Sequence, residues 1–309
     1  MVVTGLFVAN SATLWGGGVG RPRLLAHRGI AQNFPLDGVG AETCTATRID
    51  PPTHSYLENT IASMTAAFAA GADMVEFDVQ VTADGELAVF HDTTLDCRTD
   101  GTGPVAAHTL AELRRLDLGY GYTADGGRTY PLRGTGVGLL PTAGEVLAAF
   151  PGRELLIDLK NDDAAEGRRL ADLLATLSEA RRDTLTVSGG DAAIGVLRQR
   201  LPGLRLTSAT IMRGCLVRYL AVGWTGQVPD ACRRTHLRLP QRYGRYLWGR
   251  PDLFAERLRE VDTPLVLVAG DGGWSEGFDD AADLAAVDDD YSGWLWTNRV
   301  DVVAPLLRG

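Results

Sequence analysis

Short apolar runs alternate along the chain with longer stretches whose apolar positions recur every three or four residues. The short runs predict strands at 24–27, 74–81, 86–90, 154–159, 184–188, 204–209, 237–239, 264–269 and 293–296. The longer stretches predict helices at 58–70, 109–116, 142–150, 164–180, 191–200, 215–222, 253–261, 279–287 and 300–307. Asp84 and Gly85 form a turn between the second strand and a short returning strand. The alternation predicts an α/β barrel or a doubly wound sheet, and the count of about eight strand–helix units matches a (β/α)8 TIM barrel with a small insertion after the second strand. One barrel domain covers 22–309, with insertions near 30–57 and 93–141. Residues 117–141 are rich in Gly and Tyr and have no period, which predicts a long loop that carries function or moves.

The polar residues that interrupt this pattern sit at the C-terminal ends of predicted strands, where a barrel builds its site. His27 and Arg28 end the first strand, His91 and Asp92 end the returning one, and Trp296 ends the last. Glu76 and Asp78 lie two apart on the second strand, so period two points both carboxylates the same way. Asp158 and Lys160 repeat that spacing. Met74, Val75, Phe77 and Val79 flank the first acidic pair, which predicts a strand buried on both faces. Buried carboxylates need a partner, and an oxygen-only ligand set favours Mg²⁺ or Ca²⁺. Lys160 is either an ion-pair partner of Asp158 or a point charge for phosphate. Trp296 also has a plain packing role open to it.

Composition narrows the partners. The net charge of −9 argues against nucleic acid, whose phosphates demand a basic surface, but allows a small phosphodiester in a local pocket. Cys44, Cys97, Cys215 and Cys232 make no CxxC pair and admit three pairings. Cys44–Cys97 with Cys215–Cys232 keeps each bridge in its own half of the chain; four buried thiols in a reducing compartment is the other reading. Residues 2–15 are apolar or small with no basic residue before them, and are too short to span a bilayer. Residues 1–21 are therefore an arm on the barrel or the remnant of an anchor. Together these features lean toward an extracytoplasmic or membrane-associated location, with a membrane surface as a candidate partner.

The segments AHRG at 26–29, ENT at 58–60, GADMVEFDVQVTADG at 71–85, VFHD at 89–92, RTDGTG at 98–103, IDLK at 157–160 and WTNR at 296–299 occur in an order that resembles the glycerophosphodiester phosphodiesterases. These belong to the broader group of phosphatidylinositol-phospholipase-C-like barrels. The resemblance implies metal-dependent hydrolysis of a glycerophosphodiester to sn-glycerol 3-phosphate and an alcohol. It implies His27 and His91 as acid and base, and Arg28 and Lys160 as phosphate contacts. It further implies Glu58, Glu76, Asp78 and Asp158 as metal ligands, and Trp296 on the alcohol side. The glycerol hydroxyl beside the phosphate would attack first, and water would open the cyclic product. Three departures stand out: Asp158 where a Glu is usual, Leu57 for a frequent Pro, and Asn298 where an Asp is common. The stretch between Gly29 and Glu58 is also longer than in short members and bears on substrate choice. Rival readings are phospholipase-D-like action on lysophospholipids, a barrel that binds phosphodiesters without cleaving them, and a Schiff-base barrel enzyme. The Asp two residues before Lys160 favours the charged ammonium over the free amine that a Schiff base needs.

Overall fold

The computed structural model describes Gly5 and residues 21–40, 43–244, 246–273 and 276–308. The predicted arm or anchor at 1–21 lies, but for Gly5 and Arg21, outside the described residues. Nine strands form one sheet: β1 Arg23–Ala26, β2 Met74–Val81, β3 Leu87–Val89, β4 Glu154–Leu159, β5 Leu185–Ser188, β6 Arg205–Thr207, β7 Leu237–Pro240, β8 Leu265–Val268 and β9 Trp294–Thr297. Their order is β6-β5-β4-β2-β1-β9-β8-β7, with β3 paired antiparallel to β2 and every other pairing parallel. The result is a nearly closed barrel of eight parallel strands, a TIM barrel. At the seam between β6 and β7, threonine hydroxyls bridge the backbones. Thr207 Oγ1 donates to the His236 carbonyl at 2.7 Å, and Thr235 Oγ1 to the Leu206 carbonyl at 2.6 Å.

Period two along the strands explains both layers of the core. Leu25, Met74, Leu156, Val266, Trp294 and Trp296 form one cluster, drawn from alternate positions of five strands. The positions between them, such as Val75, Phe77, Leu155, Ile157 and Leu295, belong to the larger cluster that the helices cover. Two residues on from Met74 come Glu76 and then Asp78, and two on from Leu156 comes Asp158. The same face that is apolar at its lower end becomes acidic at its upper end. β2 is buried along Met74–Gln80, as its apolar flanks predict.

Helices differ from expectation at both ends. The first begins at Ile61, not at 58, because Thr60 caps it by accepting from the Ser63 N–H. Glu58 and Asn59 are thereby released from the helix. The helix at Ala209–Val222 starts six residues before the predicted one, capped by Ser208. Those predicted at 109–116 and 279–287 shrink to Leu110–Leu113 and Ala281–Leu284.

The two insertions converge. Ala46, Ile49 and Leu57 pack with Leu95, Val105, Leu113, Leu118, Tyr122, Leu132 and Leu140 in a separate hydrophobic cluster beside the barrel. Cys44–Cys97 fastens one insertion to the other, and Cys215–Cys232 ties the helix Ala209–Val222 to the segment before β7. The Gly-rich stretch 117–141 is held by its acids. Asp117 accepts from the backbone N–H of Gly119, Gly134 and Gly136, and Asp125 from those of Arg128 and Thr129.

Candidate active site

Strand register assembles the upper rim. Asp78 pairs with Asp158, and Asp158 with Ser188, so three adjacent strands present them at one level. Ala26 pairs with Val75 on one side and Thr297 on the other, which sets His27 between Glu76 and Asn298. His27, Arg28, Glu76, Asp78, His91, Asp158, Lys160 and Trp296 line a single cavity of about 570 Å³, together with Met212, Arg238 and Glu276.

The acidic group is tight. Glu76, Asp78 and Asp158 each offer an oxygen within 4.8 Å of the others. Burial, reinforced by the charges of Asp78 and Asp158, pushes Glu76 well above the ordinary carboxylate range. Burial acts on Asp78 in the same sense, but Lys160 and Arg28 outweigh it and hold that carboxyl low. Lys160 Nζ lies 3.3 Å from both Asp78 Oδ1 and Asp158 Oδ2. Asn59 grips Asp78 twice, by Nδ2 to Oδ2 at 2.8 Å and by the Asp78 N–H to its Oδ1 at 3.0 Å. Ser188 Oγ donates to Asp158. Three clustered carboxylates, two of them buried and Glu76 pushed up by the charges of the other two, form a donor set a hard divalent cation would relieve.

Two residues at the rim adopt left-handed backbone, Arg28 at φ 56° and Asn59 at φ 60°. Such strain in side-chain-bearing residues persists where surroundings over-determine it. Here the Arg28 N–H donates to Glu76 Oε2 at 3.0 Å and the Asn59 N–H to the Arg28 carbonyl at 3.0 Å. The following Gly29, at φ 81°, has no room for a side chain: a Cβ there would lie 2.8 Å from the Met64 nitrogen.

The imidazoles have different supports. His27 Nδ1 is 2.7 Å from Asn298 Oδ1, while Asn298 Nδ2 donates to Asp279 Oδ2 at 2.7 Å. Asp279 thus fixes which end of the amide faces His27, and the amide oxygen requires a proton on Nδ1. Nε2 keeps its lone pair, 3.9 Å from Glu76 Oε2, with the Trp296 ring tilted against the imidazole at 4.5 Å. His91 Nδ1 instead donates to Asp92 Oδ1 at 2.7 Å. Burial and Arg28 lower the proton affinity of both rings, His27 the more. Asp78 and Asp92 oppose that at His91.

Glu58, which the resemblance implies as a metal ligand, sits among arginines. It bridges Arg28 Nη1 at 2.8 Å and Arg98 Nη1 at 3.2 Å, and stands apart from the three clustered acids. Burial opposes its ionisation, but Arg98 and Arg28 more than offset that and hold it below the usual range. Arg98 also reaches Asp92 Oδ2 at 2.9 Å, so alternating charges run from His91 through Asp92, Arg98 and Glu58 to Arg28.

Comparison with known proteins places this geometry. The model of the glycerophosphoryl diester phosphodiesterase family matches residues 27–205, more than half of the chain. The chain belongs to this family. A glycerophosphodiester phosphodiesterase of Caldanaerobacter subterraneus is 33% identical over 139 residues, 44% of either chain. One from Bacillus subtilis is 40% identical over 114 residues, 36% of this chain and 38% of that one. The matched stretch spans less than half of each of these relatives. Among solved structures, the family domain of Mycobacterium tuberculosis Rv2277c superposes with a TM-score of 0.65 at 20% identity, covering 94% of this chain and all of that one. An Oleispira antarctica phosphodiesterase in complex with sn-glycerol 3-phosphate gives 0.59 at 17% identity, covering 93% and 97%. At these identities the two structures speak for the fold.

Within this glycerophosphoryl diester phosphodiesterase barrel, the structure gathers His27, Arg28, Glu76, Asp78, His91, Asp158, Lys160 and Trp296 around one cavity and leaves Glu58 behind Arg28. Sequence reasoning passed over Arg238, Ser188, Arg98 and Asp279. Ser188 ends β5, so the rule that found Asp158 also reaches it, whereas Arg238 lies inside β7. Arg98 opens a family segment but was given no role. Asp279 follows no strand or motif that marks it.

Proposed function

We propose that the chain hydrolyses glycerophosphodiesters to sn-glycerol 3-phosphate and an alcohol, with His27 and His91 as the acid–base pair. The observation that carries this is the shared cavity, lined by both imidazoles, by Arg28 and Lys160, and by the three clustered carboxylates. The phosphodiester anion sits against Arg28 and Lys160, whose charges also stabilise the growing charge on the non-bridging oxygens. Glu76, Asp78 and Asp158 would hold a divalent cation, Mg²⁺ or Ca²⁺ by their oxygen chemistry, which supplies Lewis-acid stabilisation of those same oxygens.

His27 begins neutral with its proton on Nδ1, so Nε2 takes the proton of the attacking hydroxyl as the new P–O bond forms. His91, backed by the Asp92 carboxylate, is the better holder of an imidazolium and gives its proton to the departing alkoxide as the old P–O bond breaks. If the neighbouring glycerol hydroxyl attacks, the cyclic phosphate is opened by water with the two rings exchanging roles. Trp296, against His27 in the cavity wall, lines the alcohol side. Replacing either ring by Ala lowers turnover by roughly 10²–10⁴-fold with the fold intact; near-normal hydrolysis by either variant refutes the assignment.

We also infer that the protein works in an oxidising compartment, since both cysteine pairs lie at bonding distance. Mass spectrometry of unreduced peptides tests this; four free thiols in protein from its native location would end it.

A further inference from the structure

Two independent features of residues 209–250 are not used by the chemistry above. The first is charge: this stretch has eight Arg, no Lys or Glu, and one acid, Asp230, in a chain whose net charge is −9. The second is apolar exposure. Of the eleven exposed large hydrophobics among the described residues, five fall here: Val217 at 61%, Leu220 at 47%, Val222 at 36%, Tyr243 at 43% and Tyr246 at 64%.

These residues form one surface rather than scattered points. Trp248 Nε1 donates to the Leu220 carbonyl at 2.8 Å, and Tyr219 Oη to the Trp248 carbonyl at 2.8 Å. The loop bearing Tyr243 and Tyr246 is thereby moored to the outer half of the helix Ala209–Val222. Cys215–Cys232 locks that helix from behind. Arg213 and Arg218 are exposed on the same helix as Val217 and Leu220, and the helix carries no acidic residue. Met212 of this helix and Arg238 and Pro240 of β7 line the catalytic cavity, so the surface begins at its edge and runs down the barrel flank.

We propose that this face docks the protein on an anionic lipid bilayer, with the aliphatic and tyrosine side chains entering the headgroup region and the arginines meeting lipid phosphates. Exposed aliphatics and arginines on one helix, with exposed tyrosines on the segment moored to it, offer the apolar and charged contacts that a lipid headgroup region rewards. Nucleic acid would use the arginines but gains nothing from Val217, Leu220 and Val222. Docking is independent of hydrolysis, so either claim can fail alone.

The test is co-sedimentation of the full chain with vesicles of phosphatidylcholine with and without phosphatidylglycerol. Binding is expected to the anionic vesicles and to weaken with salt. Val217→Glu with Leu220→Glu, and separately Arg213→Glu with Arg218→Glu, should each weaken it about 10-fold or more. Turnover of a soluble glycerophosphodiester should stay unchanged in both variants. Failure of the wild-type chain to bind anionic vesicles, or wild-type binding by both variants, overturns the proposal. So does a wild-type dimer in sedimentation equilibrium that Val217→Glu with Leu220→Glu dissolves, because the face would then belong to a second copy.

Discussion

Asp279→Asn reverses the hydrogen-bond polarity behind His27. Both oxygens of Asp279 accept from nitrogen donors, Oδ1 from the Asn298 backbone at 2.6 Å and Oδ2 from Asn298 Nδ2 at 2.7 Å. An amide at 279 has one oxygen and must turn its own NH₂ toward one of these donors. If it keeps the backbone contact, the Asn298 amide turns over to meet the new NH₂. Asn298 Nδ2 then faces His27 Nδ1, which becomes an acceptor, and the ring proton moves to Nε2. That is the atom the proposed base needs bare. Restoring the active tautomer means breaking one buried hydrogen bond and leaving polar groups opposed, about 1.5–4 kcal/mol in all. Turnover should fall roughly 10- to 10³-fold, with KM little changed. The swap Asp279→Asn with Asn298→Asp should recover most of the loss. The carboxylate now at 298 accepts from both His27 Nδ1 and the amide at 279, and the backbone contact is kept. Steady-state kinetics on the single variant and the swap decide the matter. Wild-type turnover in Asp279→Asn, or a swap no faster than the single variant, refutes the tautomer argument.

Other consequences follow from buried groups and cross-links. His236 is fully buried, neither ring nitrogen has a hydrogen-bond partner among the described residues, and burial, aided by Arg238 and Arg205, holds its pKa at about 3. Its unfolded value is higher, so the unfolded chain binds the extra proton and stability falls as pH drops below about 6.5. Between pH 6.5 and 5 the loss is about 2 kcal/mol; denaturant titrations should show that increment vanish in His236→Leu, and an unchanged pH dependence would contradict it. Asp158→Asn removes one of the three clustered acids and should weaken Mg²⁺ or Ca²⁺ binding at least about 10-fold by calorimetry; unaltered affinity would move the cation elsewhere. Cys44–Cys97 spans 53 residues of sequence, so Cys44→Ser with Cys97→Ser should cost as much as about 4 kcal/mol of unfolding free energy. A loss under about 1 kcal/mol would mean that the insertion core holds itself together without the bridge.

Strand patterns were the most legible part of the sequence. β2 and β4 have the predicted bounds, Met74–Val81 and Glu154–Leu159, because each alternates an unbroken apolar face with one that turns acidic toward its upper end. The same period two that defines them carries Glu76, Asp78 and Asp158 to one rim. Helix starts were less legible, since capping competes with pattern. Ser208 starts a helix through Thr210, Arg213 and Gly214, residues with no apolar period to announce it. Glu58 reads as a ligand through the resemblance of the ENT segment alone; its partners in the fold, Arg28 and Arg98, lie thirty and forty residues away. Pairings of that kind depend on how the insertions pack, and linear spacing does not record them. The Asp279 support of His27 is hidden for the same reason: nothing between 279 and 298 marks the contact until β9 brings Asn298 to the rim.

Hydrolysis itself is read most directly by ³¹P NMR of a glycerophosphodiester incubated with the wild-type chain, with His91→Ala, and with the wild-type chain under chelator. The account predicts that the diester signal gives way to sn-glycerol 3-phosphate only with both imidazoles and a divalent cation present, and that Mg²⁺ or Ca²⁺ restores the chelated sample. Conversion at the wild-type rate without His91, or without any divalent cation, would contradict it.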